Sequence, residues 1–308
     1  MKKSFANSAG QQVIYRLWSA REPRAAVVIA HGMVEHPGRY QDLASYLNRN
    51  GISVYAICHI GHGEDARLLN HLGKGDFDRC ISNLHELVSL ARRETGKPVV
   101  LLGHSMGSFM SQLYVTRYDD LDALILSGST RSDALAKSGA VLAKLLNTLS
   151  RDKTKPSTFM NHLAFGSYNK AFPNPRTDFD WLSRDEAQVD RYVADPYCGG
   201  ICSISFYANL LGGMAAMGKK KYTAKINQSL PIYIQGGGDD PVSGMGKGLT
   251  ALKKQYEDLG IHTVELSIYP GARHEIFNEI NKEEVYRNTL SFIESILSGE
   301  EGKPCMTY

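Results

Sequence analysis

Apolar residues recur along the first part of the chain in short runs. Val13-Ile14-Tyr15-Arg16-Leu17-Trp18 alternates apolar and polar positions, the period-two pattern of a half-buried strand. Ala25–Ala30, Ser53–Cys58, Val99–Leu102 and Ala123–Ser127 are instead apolar at nearly every position. Between them, Gln41–Asn50 and Cys80–Glu94 carry apolar residues at helical spacing. Strands apolar on both faces, alternating with helices, predict a mostly parallel sheet covered on both sides. The alternation stops after Ser127 and resumes with strands at 231–235 and 263–269, separated by a helix over 247–259. A last helix is expected over 282–297, and the tail from Ser298 to Tyr308 is expected to be loose.

The interruption reads as mostly helical. Leu135, Leu142, Leu145, Leu146 and Leu149 fall on one helical face, and Ile201–Met217 is a second apolar helix. Ligands of open α/β sheets bind at the carboxyl ends of the strands, so an insertion there would roof the site. The expected organisation is a core of residues 1–128 and 227–308 with a helical cap over 129–226. The cap's Leu, Phe and Met stripes read either as its own core or as an acyl-accepting wall and membrane-touching lid.

Composition narrows the class. The 308 residues are 43% hydrophobic, and 35 basic against 32 acidic residues leave a net charge of +3. That balance supplies no basic field for a nucleic-acid partner. Lys219-Lys220-Lys221, the one basic run, reads as a surface turn, with anionic head groups as the alternative. No apolar stretch follows the N-terminal lysines as in a secretory signal, and no run is long enough to span a bilayer. The five cysteines, Cys58, Cys80, Cys198, Cys202 and Cys305, are too scattered for a disulfide framework. Cys198 and Cys202 are four apart, but no further pair completes a zinc set there. A cytoplasmic protein without metal or cofactor is expected.

The candidate chemistry begins at Gly103-His104-Ser105-Met106-Gly107, between a predicted strand and a predicted helix. Strand, Gly-x-Ser-x-Gly, helix is the context of a nucleophile elbow, which would present Ser105. A serine hydroxyl needs a base, and the base needs an orienting acid. On this kind of sheet the acid and then the histidine follow the serine in the chain. After the strand ending at Gly236-Gly237-Gly238-Asp239-Asp240-Pro241, only His262 and His274 remain. His262 opens a strand, whereas His274 hangs in the loop after one, so His274 is the expected base. Asp240, stiffened by Pro241, is the favoured acid, with Asp239 as the alternative. The backbone N–H groups of Met33 and Met106 are the expected oxyanion donors. His104 is expected to make a supporting hydrogen bond, and Glu35, His36 and Arg39 to buttress the oxyanion loop.

These residues resemble α/β-hydrolases of the monoacylglycerol lipase and lysophospholipase type. The resemblance is carried by His31-Gly32-Met33-Val34-Glu35-His36-Pro37-Gly38-Arg39-Tyr40, Gly61-His62-Gly63, the serine motif, Asp240-Pro241-Val242 and Tyr269-Pro270-Gly271-Ala272-Arg273-His274-Glu275. It spans nearly the whole chain, and the segments 180–185 and 195–199 look like a bacterial subgroup often labelled lysophospholipase. It implies the α/β-hydrolase fold and a serine esterase that forms an acyl-enzyme on small acyl esters such as monoacylglycerols or lysophospholipids. Amide hydrolysis is a second reading, for which Asp178, Asp180, Asp185, Glu186 or Asp195 would have to face a substrate amine. A non-catalytic ligand-binding homologue is a third. One departure stands out: the family usually has Asp and Arg in Asp-x-Arg-Gly-His-Gly, where this chain has Cys58 and Ile60. Any salt bridge there is lost.

Overall fold

Val27, Val28 and Ile29 are fully buried in consecutive positions, and so are Leu101 and Leu102. Such strands satisfy both faces only when layers cover the sheet on either side. The computed structural model, which describes residues 1–132 and 134–299, has that arrangement. Its strands are β1 (Lys2–Ala6), β2 (Gln12–Trp18), β3 (Ala25–Ala30), β4 (Ile52–Ile57), β5 (Val99–His104), β6 (Ala123–Ser127), β7 (Ile232–Gly237) and β8 (Val264–Tyr269). They form one sheet in the order β1-β2-β4-β3-β5-β6-β7-β8. β1 and β2 are antiparallel to their neighbours, and β4 through β8 are parallel.

Helices α1 (Gln41–Arg49) and α10 (Lys282–Ser298) cover one face. Their Leu43, Leu47, Tyr286 and Ile293 pack in one cluster with Val27, Ile29, Val54 and Val100. Helices α2 (Asp76–Thr95), α3 (Met106–Tyr114) and α9 (Lys247–Asp258) cover the other. There Ile81, Leu84, Met110 and Leu252 share a cluster with Val28, Leu101, Leu124 and Ile234. Each such fully buried aliphatic chain contributes about 1.5–3 kcal/mol of transfer free energy, which is what holds the layers on the sheet.

Register is what positions the site. Ala30 lies opposite Gly103, His104 opposite Ser127, and Gly237 opposite Tyr269. The carboxyl ends of β3, β5, β6, β7 and β8 therefore finish along one edge, and their loops share it.

Between β6 and β7 come α4 (Ala134–Leu149), α5 (Thr158–Phe165), α6 (Glu186–Ala194), α7 (Ile204–Met217) and the short α8 (Lys220–Thr223). α4 packs along α7. The leucine stripe expected on α4 divides: Leu142 and Leu146 are half-buried, while Leu145 and Leu149, with Val141, are exposed. A stripe wider than the seam against α7 leaves its outer edge in solvent. The side chain of Leu135, Cys305 and the tail from position 300 lie outside the described residues. Cys198 and Cys202 do not share a helix: Cys198 follows α6 in a turn and Cys202 is buried just before α7. Lys219, Lys220 and Lys221 are exposed, and among the described residues no helix is long and apolar enough to cross a membrane.

Candidate active site

Ser105 sits between β5 and α3 with φ 51° and ψ −118°. That backbone is costly for a residue with a side chain and persists only where its surroundings impose it. The surroundings are tight here. A Cβ on Gly107 would lie 2.0 Å from the Ala30 carbonyl oxygen, and one on Gly103 would lie 2.5 Å from Ser111 Oγ. Glycine at these two positions lets α3 approach the sheet, and the approach forces the turn at Ser105. The Ser105 N–H donates to the Ser127 carbonyl at 3.0 Å, tying the turn to the end of β6.

His274 follows β8 and is buried against Asp240, which follows β7. His274 Nδ1 lies 3.0 Å from Asp240 Oδ1, and that oxygen also accepts from the Val242 N–H at 2.8 Å. Asp240 is completely buried, whereas Asp239 is exposed. Burial pulls the His274 imidazole down, but the charge and hydrogen bond of Asp240 outweigh it and leave the ring above its ordinary 6.5. The ring is packed on two further sides. His104 stands with its ring centroid 4.8 Å away, and Trp181 at 5.2 Å. Gly128 lies between the two histidines: a Cβ there would meet His274 Cε1 at 2.9 Å and His104 Cε1 at 3.0 Å. His104 itself reaches Ser127 Oγ through Nδ1 at 3.2 Å. Burial beside His274 holds His104 well below the usual histidine range, so it is neutral.

The loop after β3 runs beside the serine. A Cβ on Gly32 would come 3.3 Å from Ser105 Cβ and 2.8 Å from Glu35 Oε1. Glu35 accepts from the Gly32 N–H and from Tyr40 Oη, the latter at 2.8 Å. Arg39 reaches Glu35 at 3.7 Å and makes a two-pronged pair with Glu275, the residue after His274. One buried guanidinium thus joins the loop of Gly32 and Met33 to the loop of His274. Burial pushes the Glu35 carboxyl up despite the opposing charge of Arg39. Met33 is half-buried at this turn, and Met106 opens α3, where the first N–H groups of a helix lack intrahelical partners.

Three neutral histidines back the loop. His31 Nδ1 donates to the Gly32 carbonyl at 2.8 Å, and His31 Nε2 accepts from the His59 N–H at 3.1 Å. The His59 and His62 rings flank it, with centroids 4.4 Å and 5.0 Å away. Burial lowers His59 to about 3 and His62 to about 4. At the positions where the family pattern carries Asp and Arg, the Cys58 thiol donates to the His62 carbonyl at 3.2 Å, and Ile60 packs on the core.

Comparison with known proteins assigns this architecture. The model of the Hydrolase_4 family, described as serine aminopeptidase, S33, matches residues 21–281. The chain belongs to the Hydrolase_4 family. This Hydrolase_4 chain is similar to a monoacylglycerol lipase of Mycolicibacterium smegmatis, 30% identical over 96% of this chain and 97% of the relative. It is 28% identical to the human monoglyceride lipase, covering 89% of this chain and 83% of that one. Among solved structures, a thermostable carboxyl esterase from Bacillus coagulans in complex with glycerol superimposes with a TM-score of 0.88 at 27% identity, over 96% and 98% of the two chains. The fold of the Hydrolase_4 chain is therefore the α/β-hydrolase fold.

Several contacts of this Hydrolase_4 site join segments far apart in the sequence. The 180–184 segment lies over the histidine loop: His274 N–H donates to the Trp181 carbonyl at 3.4 Å, and Glu275 N–H to Leu182 at 2.7 Å. Arg184 pairs with buried Glu279 at 2.9 Å. The role of Glu275 had a signal in its place directly after His274; that of Gly128 and Trp181 had none, because both depend on packing across the chain. The acidic side chains considered for a substrate amine are engaged locally. Asp180 accepts from Thr177, Asp185 caps α6 through the Gln188 N–H at 3.2 Å, and Asp195 Oδ2 accepts a hydrogen bond from His36 Nε2–H at 2.8 Å. Asp178 and Glu186 are exposed.

Proposed function

We propose that this protein hydrolyses acyl esters through Ser105, His274 and Asp240. The class itself, a carboxylic ester hydrolase, rests on the family membership and on the lipase and esterase relatives. The observation that carries the assignment of residues is the buried His274–Asp240 pair at 3.0 Å, on the sheet edge that also holds the strained Ser105. In this reading the Ser105 hydroxyl attacks the ester carbonyl and its proton passes to His274 Nε2. Asp240 fixes the tautomer by taking the Nδ1 proton in a hydrogen bond. The N–H groups of Met33 and Met106 hold the oxyanion. The alcohol leaves with the proton from His274, water attacks the acyl-enzyme with His274 again as base, and the acid is released.

Residues 129–226 serve as a cap over the site, supported by the contacts of Trp181 and Leu182 with the histidine loop. Exposed Val141, Leu145 and Leu149 on α4, with Phe159 and Leu163 on α5, support transient contact with a membrane surface. Monoacylglycerols, lysophospholipids or similar acyl esters are the substrates this reading favours. The local engagement of Asp180, Asp185 and Asp195 weighs against a site for a free substrate amine. The free thiols of Cys58, Cys80, Cys198 and Cys202 support a reducing, cytoplasmic setting.

The test is covalent. A fluorophosphonate probe should label the wild type at Ser105, and Ser105→Ala should lose both labelling and turnover of p-nitrophenyl esters while keeping its melting temperature. Full esterase activity in Ser105→Ala would overturn the assignment. Turnover across monoacylglycerols, lysophospholipids and proline β-naphthylamide then separates the lipid readings from amide hydrolysis.

A further inference from the structure

His36 lies in the loop after β3, and Asp195 and Cys198 lie in the turn after α6, 159 and 162 positions further along. One ligand atom from each of the three comes within 4.8 Å of the other two. His36 Nε2 and Asp195 Oδ2 are already 2.8 Å apart. An imidazole nitrogen, a carboxylate oxygen and a thiol sulfur are the donor set of a borderline-soft divalent cation, above all zinc. We propose that His36, Asp195 and Cys198 bind a zinc-type divalent cation that clips the 129–226 segment to the loop beside Ser105.

Charge points the same way. Among the described residues the Asp195 carboxylate is paired with the His36 imidazole and with no Lys or Arg, and Arg39 is committed to Glu275 by two hydrogen bonds. A dication would supply the positive charge that Asp195 lacks. The side chains of His36 and Asp195 are 16% and 28% exposed, so solvent reaches the triad. The segments are also pre-joined: the Val34 carbonyl accepts from the Gly199 N–H at 3.0 Å and from Tyr192 Oη at 3.1 Å. Zinc bonds of about 2.0 Å to nitrogen and 2.3 Å to sulfur set tetrahedral ligand separations of about 3.4–3.6 Å, so closing the site takes side-chain movement of about 1 Å.

The proton balance is explicit. His36 Nδ1 now accepts from the Gly38 N–H at 3.1 Å, so Nε2 carries the ring proton. On binding, that proton moves to Nδ1 and the Gly38 contact is lost, while the Cys198 thiol releases its proton to solvent. The site goes from net −1 to neutral as one dication enters and one proton leaves. A fourth position remains for water.

The experiment uses the full chain and needs no ester turnover, so it stands apart from the proposed hydrolysis. Cobalt(II) titrated into the protein should develop a thiolate-to-cobalt charge-transfer band, which zinc then bleaches. Cys198→Ser should abolish the band, and Cys80→Ser should leave it. His36→Asn, whose amide can still cap the turn at Gly38, and Asp195→Asn should each weaken cobalt binding by more than the roughly 10–100-fold lost with a mere supporting hydrogen bond. Zinc should raise the melting temperature of the wild type and not of Cys198→Ser, whose metal-free melt reports that it folds. No thiolate band in the wild type with cobalt in large excess would overturn the proposal. So would a band that persists in Cys198→Ser, or full affinity in both His36→Asn and Asp195→Asn.

Discussion

Gly128→Ala tests whether packing around the imidazole controls turnover. The new Cβ would stand 2.9 Å from His274 Cε1, 3.1 Å from His274 Nδ1 and 3.0 Å from His104 Cε1, where ordinary contact begins at 3.4 Å. His104 is fixed by Ser127 and His274 by Asp240, so neither ring gives way without breaking a hydrogen bond. Relief needs a displacement of about 0.5 Å. A misplacement of about 1 Å can cost about 100-fold in rate, so half of that predicts roughly a tenfold loss of kcat with KM little changed. The left-handed φ of 55° adds a backbone cost of about 1–2 kcal/mol for any residue with a Cβ. Gly96→Ala is the control: its φ is 62° at the end of α2, and nothing lies within 4 Å of a Cβ there. Both variants should lose a few degrees of melting temperature, and only Gly128→Ala should lose kcat and fluorophosphonate labelling rate. Wild-type kcat in a folded Gly128→Ala, or an equal kcat loss in Gly96→Ala, would refute the reasoning.

Asp240→Asn should lower kcat by about 10⁴-fold, while Asp239→Asn stays near wild type; a reversed pattern in steady-state assays would exchange their roles. The acidic limb of the kcat/KM profile should follow His274, which must be neutral to act as base. Asp240 holds the ring above 6.5, so activity should be lost as pH falls through a midpoint above that value, and the residual activity of Asp240→Asn should persist to lower pH. Arg39→Met strands Glu35 and Glu275 in the interior. It should cost about 3–5 kcal/mol in chemical denaturation, partly recovered on adding Glu275→Gln. Leu145→Ser with Leu149→Ser should reduce sedimentation with phospholipid vesicles yet leave turnover of short soluble esters unchanged, since both side chains face solvent.

How much was legible follows the kind of physics involved. β3 and β6 fall on their expected bounds, because doubly buried strands must be apolar throughout, and β8, whose apolar and polar positions alternate, falls within a residue of its own. β1 leaves no alternation in the sequence: it is an edge strand with a single half-buried side chain, held by main-chain pairing to β2. α2 begins at Asp76 rather than Cys80: in its first turn the buried Phe77 extends the apolar face, but it stands between Asp76 and Asp78, which mask the pattern in the sequence. In the site, chain order singled out His274, since few histidines follow the last carboxylate loop. Pro241 favours Asp240 over Asp239 in the sequence, but which of the two lies against His274 shows only in three dimensions, because adjacent residues differ in which way they face. The α4 stripe left its two readings open for a related reason: periodicity marks a face but not how much of it a neighbour covers.

The hydrogen bonding of β7 to β8 does not stop where the strands end. The Gly238 N–H donates to the Tyr269 carbonyl at 2.9 Å, and the Asp239 N–H to Ala272 at 2.9 Å, so the two loops carrying Asp240 and His274 are zipped to each other. These loops should therefore behave as part of a rigid cooperative unit. In native-state hydrogen exchange, the amides of Gly238 and Asp239 should exchange with the slowness of the central sheet rather than of surface loops, opening only when β7 and β8 separate. The distance between the two side chains is in this sense a property of strand pairing, and it lasts as long as the sheet does.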